Sequence, residues 1–337
     1  MLLGNYFHNI NKNYKNFSFS GISFDTKSIK KNYIFFAIKG TNVDGNKFIP
    51  NAIKKGSKII VTEKKANSFQ NGILYIHTKN IRKLLAETAF KIYSKKPKNL
   101  IAVTGTNGKS SVADFYYQIL KLNKKKVSSI GTLGVKSKNS NFNLPNTTID
   151  PVKLAQILSK LKSQKIENVI MEASSHGLRQ NRLDGLKFNS GIFTNLSQDH
   201  LDYHKNLKKY LNAKLYLFKN LIKKRGIVIT DRLLPEFKEI KKITVNKKLK
   251  LYSINDKKNT LKIISHCFKG EAQFLRIKFN NLTHDLNLNL IGKIQLKNIL
   301  MAIIAAKNSN ISLDKILNSI SKLKPVEGRF EKIGKIK

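Results

Sequence analysis

Short apolar runs and amphipathic stretches alternate along this chain. Residues 33–38 form an apolar run ended by Gly40 and read as a strand. Residues 48–55 carry helical spacing stopped by Gly56, and 58–61 reads as the next strand. The strand pattern recurs at 74–77 and the helical one at 81–93, which predicts a small α/β unit. A Lys/Pro-rich stretch at 94–98 then marks a boundary. Beyond it, buried strands are expected at 100–104, 168–171, 190–194 and 226–229. Helices are expected at 110–122 and 206–222, the first with Val112, Phe115, Tyr116, Ile119 and Leu120 on one face. This alternation predicts an α/β fold with a parallel sheet covered by helices. Residues 250–290 alternate like antiparallel ribbon, and 295–306 forms a strongly apolar helix. The expected domains are 1–95 and 96–325, followed by a short segment at 326–337.

Composition narrows this picture. A chain of 337 residues, 41% hydrophobic and 25% charged, is globular in character. The longest apolar run, 299–306, is far below the ~20 residues that cross a bilayer, so no membrane insertion is expected. The polar N-terminus does not read as a signal peptide. The single cysteine, Cys267, excludes an internal disulfide, fits the cytoplasm, and is expected to be partly buried. The net charge of +44 suggests a nucleic-acid or anionic partner when taken alone. However, the lysines are spread along the whole chain and accompany many asparagines and isoleucines, as a genome-wide base bias would produce. No nucleic-acid partner is therefore expected, although a polyanionic substrate would benefit from the field.

Residues 103–111, Val-Thr-Gly-Thr-Asn-Gly-Lys-Ser-Ser, lie where a strand ends and a helix begins. Gly105, Thr106, Asn107 and Gly108 can present backbone N–H groups to phosphate, and the helix N-terminus adds partial positive charge. Lys109 is suited to β/γ-phosphates, and the hydroxyl of Ser110, beside Ser111, to Mg²⁺. A general Walker loop has glycine where Val103 stands, so the match to that pattern is partial. Glu172 follows another strand, at the edge where ligands gather in parallel sheets. On the residues alone it reads equally well as a surface carboxylate.

The loop resembles that of the Mur ligase family, and further segments occur in the family's order. These are 129–134, 146–148, 171–178, 193–204 and 213–218. The segments Ser-Ser-His-Gly-Leu and Asp-His-Leu-Asp-Tyr-His are most similar to the branch that joins a diamino acid to UDP-N-acetylmuramoyl-L-alanyl-D-glutamate. The resemblance implies a UDP-sugar-binding domain at 1–95 and an ATP-binding domain at 96–325. It also implies an ATP- and Mg²⁺-dependent, monomeric, cytoplasmic enzyme of peptidoglycan synthesis that works through an acyl phosphate. Lys109, Glu172, His200 and Lys214 would be catalytic, with Ser110, Glu172, His200 and a carbamylated Lys214 around the metal. Asp199, Asp202 and His204 would orient neighbours, and His176 would brace its loop.

Asn298 and Arg329 match ATP-side positions, although Ile294 and Gln295 depart from the family's usual Phe-Asn. Phe24, Thr26, Thr41, Asn42 and Val43 match uridine positions, with Lys27 where the family has Arg. Asn146, Thr147, Thr148, Ser174, Gln180 and Arg182 match positions around the muramoyl peptide. Residues 325–332 match the family's hinge into a third domain that binds the incoming amino acid. The reading therefore expects this chain to need that domain for turnover. Meso-diaminopimelate is expected ahead of lysine. Another Mur-type ligase of folylpolyglutamate-synthase character, a non-catalytic nucleotide binder and a basic nucleic-acid binder stand as alternatives.

Overall fold

The computed structural model describes residues 1–7, 10–40, 43–64, 67–138, 140–255, 261–269, 272–279, 282–288 and 293–329. Thr41 and Asn42, and the end of the expected terminal segment from residue 330, lie outside these. The chain divides into two compact units. The first comprises Met1–Lys96 together with Asp150–Ser159 and Gln180–Leu186. The second comprises Pro97–Ile149, Lys160–Arg179 and Lys187–Lys337.

In the first unit, strands β1 (Gly21–Ser23) and β2 (Tyr33–Phe36) precede helix α1 (Ile49–Lys54) and strand β3 (Ile59–Thr62). Strands β4 (Ser68–Gln70) and β5 (Ile73–His77) and helix α2 (Ile81–Ile92) follow. The sheet order is β1-β2-β3-β5-β4, parallel except where β4 meets β5. The run at 33–38 is strand only to Phe36, after which the chain turns toward Gly40. One apolar cluster, of Ile29, Phe35, Ala37, Ala52 and Ile60, packs α1 against this sheet.

The second unit begins with strand β6 (Asn99–Thr104), helix α3 (Lys109–Leu122) and strands β7 (Val127–Gly131), β8 (Gly134–Lys136) and β9 (Asn141–Phe142). After helix α4 (Pro151–Ser163), most of which belongs to the first unit, strand β10 (Asn168–Glu172), helix α5 (Ser175–Arg179) and strand β11 (Phe188–Phe193) come next. They lead to helices α6 (Leu201–His204) and α7 (Leu207–Tyr216), strand β12 (Ile222–Asp231), helix α8 (Phe237–Asn246) and strand β13 (Lys250–Ile254). The chain continues through strands β14 (Lys262–Lys269), β15 (Ala272–Phe279) and β16 (Leu282–Leu288) and helices α9 (Lys293–Lys307) and α10 (Leu313–Ile320).

The large sheet runs β13-β12-β11-β6-β10-β7-β8-β9 and is parallel from β13 to β7. β6 is apolar from Leu100 to Val103 because neither face of such a sheet meets water, and these four residues are all buried. The predicted face of α3 is buried as expected, and α9 packs against that helix. α9 is apolar around its circumference because the core encloses it: Ile299 to Ala306 are all buried.

Three further expectations change. The helix from 206 ends at Tyr216, and a wider turn through Leu221 leads directly into β12. In the stretch 250–290, only β14-β15-β16 is antiparallel, whereas Lys250–Ile254 joins the parallel sheet beside β12. Cys267, on β14, is exposed rather than partly buried. None of the helices among the described residues is long and apolar enough to cross a membrane. Phe115 is fully buried at the centre of the second unit's core. Phe115→Ala is expected to cost about 3–5 kcal/mol in denaturant unfolding, through lost burial and a residual cavity.

Candidate active site

The site assembles at the carboxyl ends of β6, β7, β10 and β11, where the strands release their chains toward helices. Gly105 has φ +146°, and a Cβ there would collide with the Thr194 hydroxyl. This close approach lets the segment after β11 brace the loop. Thr106 N–H donates to the Asn195 carbonyl (2.9 Å), and Asn107 N–H to Asn195 Oδ1 (2.9 Å). Ser197 N–H donates to Thr106 Oγ1 at 3.0 Å, and the Tyr210 hydroxyl to the same atom at 3.3 Å. Gly108, in the left-handed region at φ +84°, caps α3 and lies against the Asn298 side chain.

Lys109 Nζ turns back onto its own loop, donating to the carbonyls of Gly105 (2.9 Å) and Thr106 (2.6 Å). Lys214, on α7, is buried and donates to the same Gly105 carbonyl at 2.7 Å, with Nζ 4.1 Å from the Tyr210 ring centre. Burial pushes the Lys214 pKa down to about 6, helped by the neighbouring charge of Lys109. Burial also lowers the Lys109 pKa, against the opposing pull of Glu172 and Asp199.

Glu172 ends β10 and is buried. Its Oε1 accepts Thr132 N–H at 2.9 Å, and its Oε2 the Thr132 hydroxyl at 3.2 Å. The Ser110 hydroxyl also bonds its carboxylate. Burial raises the Glu172 pKa in spite of these bonds and the nearby Lys109 charge. A Cβ on Gly131 would overlap the Glu172 carboxylate, so the bare backbone of β7 makes room for it.

These groups line a cavity of about 520 Å³, shared by residues 106–110, Thr132, Thr147, Glu172, Ser174, Ser175, His200, Tyr210, Lys214 and Arg329. His200 is exposed, stands in the left-handed region before α6, and has Nε2 3.5 Å from Asp199 Oδ2. The His176 ring lies 4.1 Å from the Tyr203 ring and 4.8 Å from the His200 ring. His204 is fully buried, its Nε2 3.0 Å from Ser175 Oγ, and burial pushes its pKa down to about 4. It is therefore neutral at physiological pH.

Of the residues matched to the muramoyl peptide, the second unit holds four. Asn146 is exposed, and Thr147 Oγ1 lies 3.0 Å from Thr132 Oγ1. The Thr148 hydroxyl donates to the Glu172 carbonyl and accepts Ser174 N–H, each at 2.9 Å. Ser174 Oγ accepts Gly177 N–H at 3.1 Å. In the first unit, Arg182 donates through Nε and Nη2 to Gln180 Oε1, at 3.1 and 2.7 Å. Phe24 and Val43 are exposed there, and the Thr26 carbonyl takes Lys55 Nζ at 2.7 Å. Sequence reasoning assigned no role to Thr132, Tyr210 or Ser175. Tyr210 was findable, since it precedes Lys214 by one helical turn on α7.

Among the described residues, no three His, Cys, Asp or Glu side chains gather as a metal cage. The Ser110 hydroxyl beside the Glu172 carboxylate instead offers a small oxygen set. Such a set suits a hard cation that takes its other ligands from phosphate oxygens and water.

Lys214 links this site to stability. Between pH 6 and 10, the unfolded chain holds a proton at Lys214 that the folded chain lacks, so this group makes stability rise with pH. Lys214→Met should flatten the rise seen by denaturant unfolding at pH 6.5 and 9.5. An equal rise in both proteins would contradict a neutral Lys214.

Residues 103–306 match the Mur ligase middle domain, and residues 18–93 match the catalytic domain of the Mur ligase family. A UDP-N-acetylmuramoyl-L-alanyl-D-glutamate–2,6-diaminopimelate ligase of Rickettsia prowazekii is 39% identical over 331 residues, covering 97% of this chain and 68% of that protein. The protein of the same name from Zymomonas mobilis is 34% identical, covering 94% and 65%. A solved structure of a ligase of that name superposes with a TM-score of 0.84 at 24% identity, covering 97% of this chain and 67% of that one. The MurF ligase from Thermotoga maritima in complex with ADP gives 0.61 at 20% identity, covering 93% and 69%. The chain thus spans about two thirds of the length of these relatives. On these matches the chain belongs to the Mur ligase family, whose members are ATP-dependent ligases that form amide bonds.

Proposed function

We propose that this chain carries the ATP-binding and carboxylate-activating part of a ligase that joins 2,6-diaminopimelate to UDP-N-acetylmuramoyl-L-alanyl-D-glutamate for peptidoglycan. The observation that carries the reading is the Lys109 amine, turned onto the carbonyls of its own loop ahead of α3, with the Ser110 hydroxyl and the Glu172 carboxylate beside it. Donor capacity there exceeds what the protein's own oxygens use, as a site for a triphosphate requires.

In this reading, Lys109 exchanges its two loop carbonyls for β/γ-phosphate oxygens, while the N–H groups of residues 108–111 hold the phosphate chain and Asn195 keeps those of Thr106 and Asn107. Asn298 and Arg329 serve the nucleotide from α9 and from the segment after α10. The D-glutamyl carboxylate attacks the γ-phosphorus, breaking its bond to ADP and leaving an acyl phosphate. The diaminopimelate amine then attacks the acyl carbon, and orthophosphate leaves as the amide forms. Ser110 and Glu172 would hold Mg²⁺, with His200 beside them, and the ion would neutralise crowded phosphate oxygens. Lys214 cannot be a metal ligand as an ammonium. Its depressed pKa instead leaves a free amine at neutral pH, the form that adds CO₂ and loses a proton to become a carbamate. Phe24, Thr26, Val43, Gln180 and Arg182 in the first unit, and Asn146, Thr147, Thr148 and Ser174 in the second, keep their nucleotide-sugar assignments. Thr41 and Asn42 keep theirs by resemblance.

Lys109→Ala is expected to weaken MgATP binding by roughly 10- to 100-fold, the range of a lost hydrogen bond between charged partners. Orthophosphate release that needs ATP, the UDP-muramoyl dipeptide, diaminopimelate and Mg²⁺ together should fall with it. Unchanged ATP affinity would remove the loop from the reaction. With ¹³C-labelled bicarbonate, a carbamate carbon resonance is expected in the wild type and not in Lys214→Arg. A wild-type spectrum without it would end the carbamate assignment.

A further inference from the structure

The Gln118 side chain meets a distant stretch of backbone on both of its polar atoms. Its Nε2 donates to the Lys324 carbonyl at 3.1 Å, and its Oε1 accepts Lys324 N–H at 2.8 Å. A primary amide carries the same donor and acceptor as a peptide group, so Gln118 pairs with Lys324 much as a neighbouring strand would. The amide is itself fixed. Nε2 also donates to Asp114 Oδ2 at 2.6 Å, and Asp114 Oδ1 takes Lys136 Nζ from β8 at 3.0 Å. Ser110, Asp114 and Gln118 follow one another at intervals of four on α3, so one helix face runs from the Glu172 carboxylate to Lys324.

The backbone held in this way leads directly to Arg329. Val326 is buried in the core, and Arg329 N–H closes a tight turn onto its carbonyl at 2.9 Å. At the far side of the turn, Gln295 Nε2 reaches the Arg329 carbonyl at 3.3 Å. Arg329 lines the cavity, and its charge is felt at Lys109.

We propose that Gln118 is a positioning residue for the nucleotide site: by pairing with both backbone groups of Lys324, it fixes the turn that brings Arg329 to the phosphate loop. The inference rests on the reading of this cavity as an ATP site. Because Gln118 and Ser110 share α3, the phosphate loop and the arginine that faces it are set by one rigid element.

The test is MgATP titration of the intact chain. Gln118→Met keeps the side chain's length and removes both bonds, and should weaken binding about five-fold, within the range of couplings carried by residues remote from a ligand. Gln118→Glu keeps the acceptor, loses the donor and places a second carboxylate beside Asp114, so it should lose at least as much. It also provides the measurement if the methionine variant does not fold. In an Arg329→Ala background, neither change should weaken binding further, which a merely structural role for Gln118 would not produce. Full additivity of the two losses, or unchanged affinity in both Gln118 variants, would overturn the proposal. Unchanged affinity in Arg329→Ala would overturn it as well, while leaving the ATP site intact if Lys109→Ala still loses binding. Unchanged affinity in Lys109→Ala would instead remove the ATP reading itself.

Discussion

The Gly105 carbonyl accepts from Lys109 and Lys214 at once, and much of the second unit's site is arranged around that shared oxygen. One lysine comes from the loop itself and the other from a helix more than a hundred residues later. Its two donors differ in character. Lys109 lies at the cavity, bonded to two carbonyls of its own loop. Lys214 is sealed against the Tyr210 ring, and burial has drained much of its tendency to hold a proton. One carbonyl thus holds together a lysine at the cavity and a second one whose pKa burial has lowered.

Glu172 is the counterweight. It is the carboxylate that supports the Lys109 charge most strongly, and it is held by Thr132 and Ser110 rather than by a direct ion pair. Direct pairing would quench both groups. Hydrogen bonds to neutral donors hold the carboxylate in position while leaving it free to face a cation. The sheet makes this arrangement possible, because β6, β7, β10 and β11 all end at one edge and deliver loop, threonine, carboxylate and brace together.

Much of this was legible in the sequence, for physical reasons. The loop between β6 and α3 announces itself because a fully buried strand, a glycine turn and an amphipathic helix each leave a distinct local pattern. Burial of α3 and α9 followed from apolar spacing alone. What could not be read was long-range. Residues 250–254 look like ribbon because a five-residue edge strand carries too little sequence to show whether its partner runs parallel. The helix from 206 read too long because the wide turn after Tyr216 keeps apolar spacing. The motif at 213–218 singles out Lys214, but its burial beneath Tyr210 leaves no local pattern in so basic a chain. The inclusion of residues 150–159 and 180–186 in the first unit depends on packing that no local pattern records.

The close approach of Gly105 to Thr194 carries a consequence for how such a site can change over time. A side chain at 105 meets the Thr194 hydroxyl, and Gly131 stands in the same relation to Glu172. In each pair, the glycine leaves the room that its partner's side chain occupies, so a side chain cannot be added there unless the partner gives way. Two residues without side chains therefore set the room for Thr194 and Glu172, partners some forty to ninety positions away.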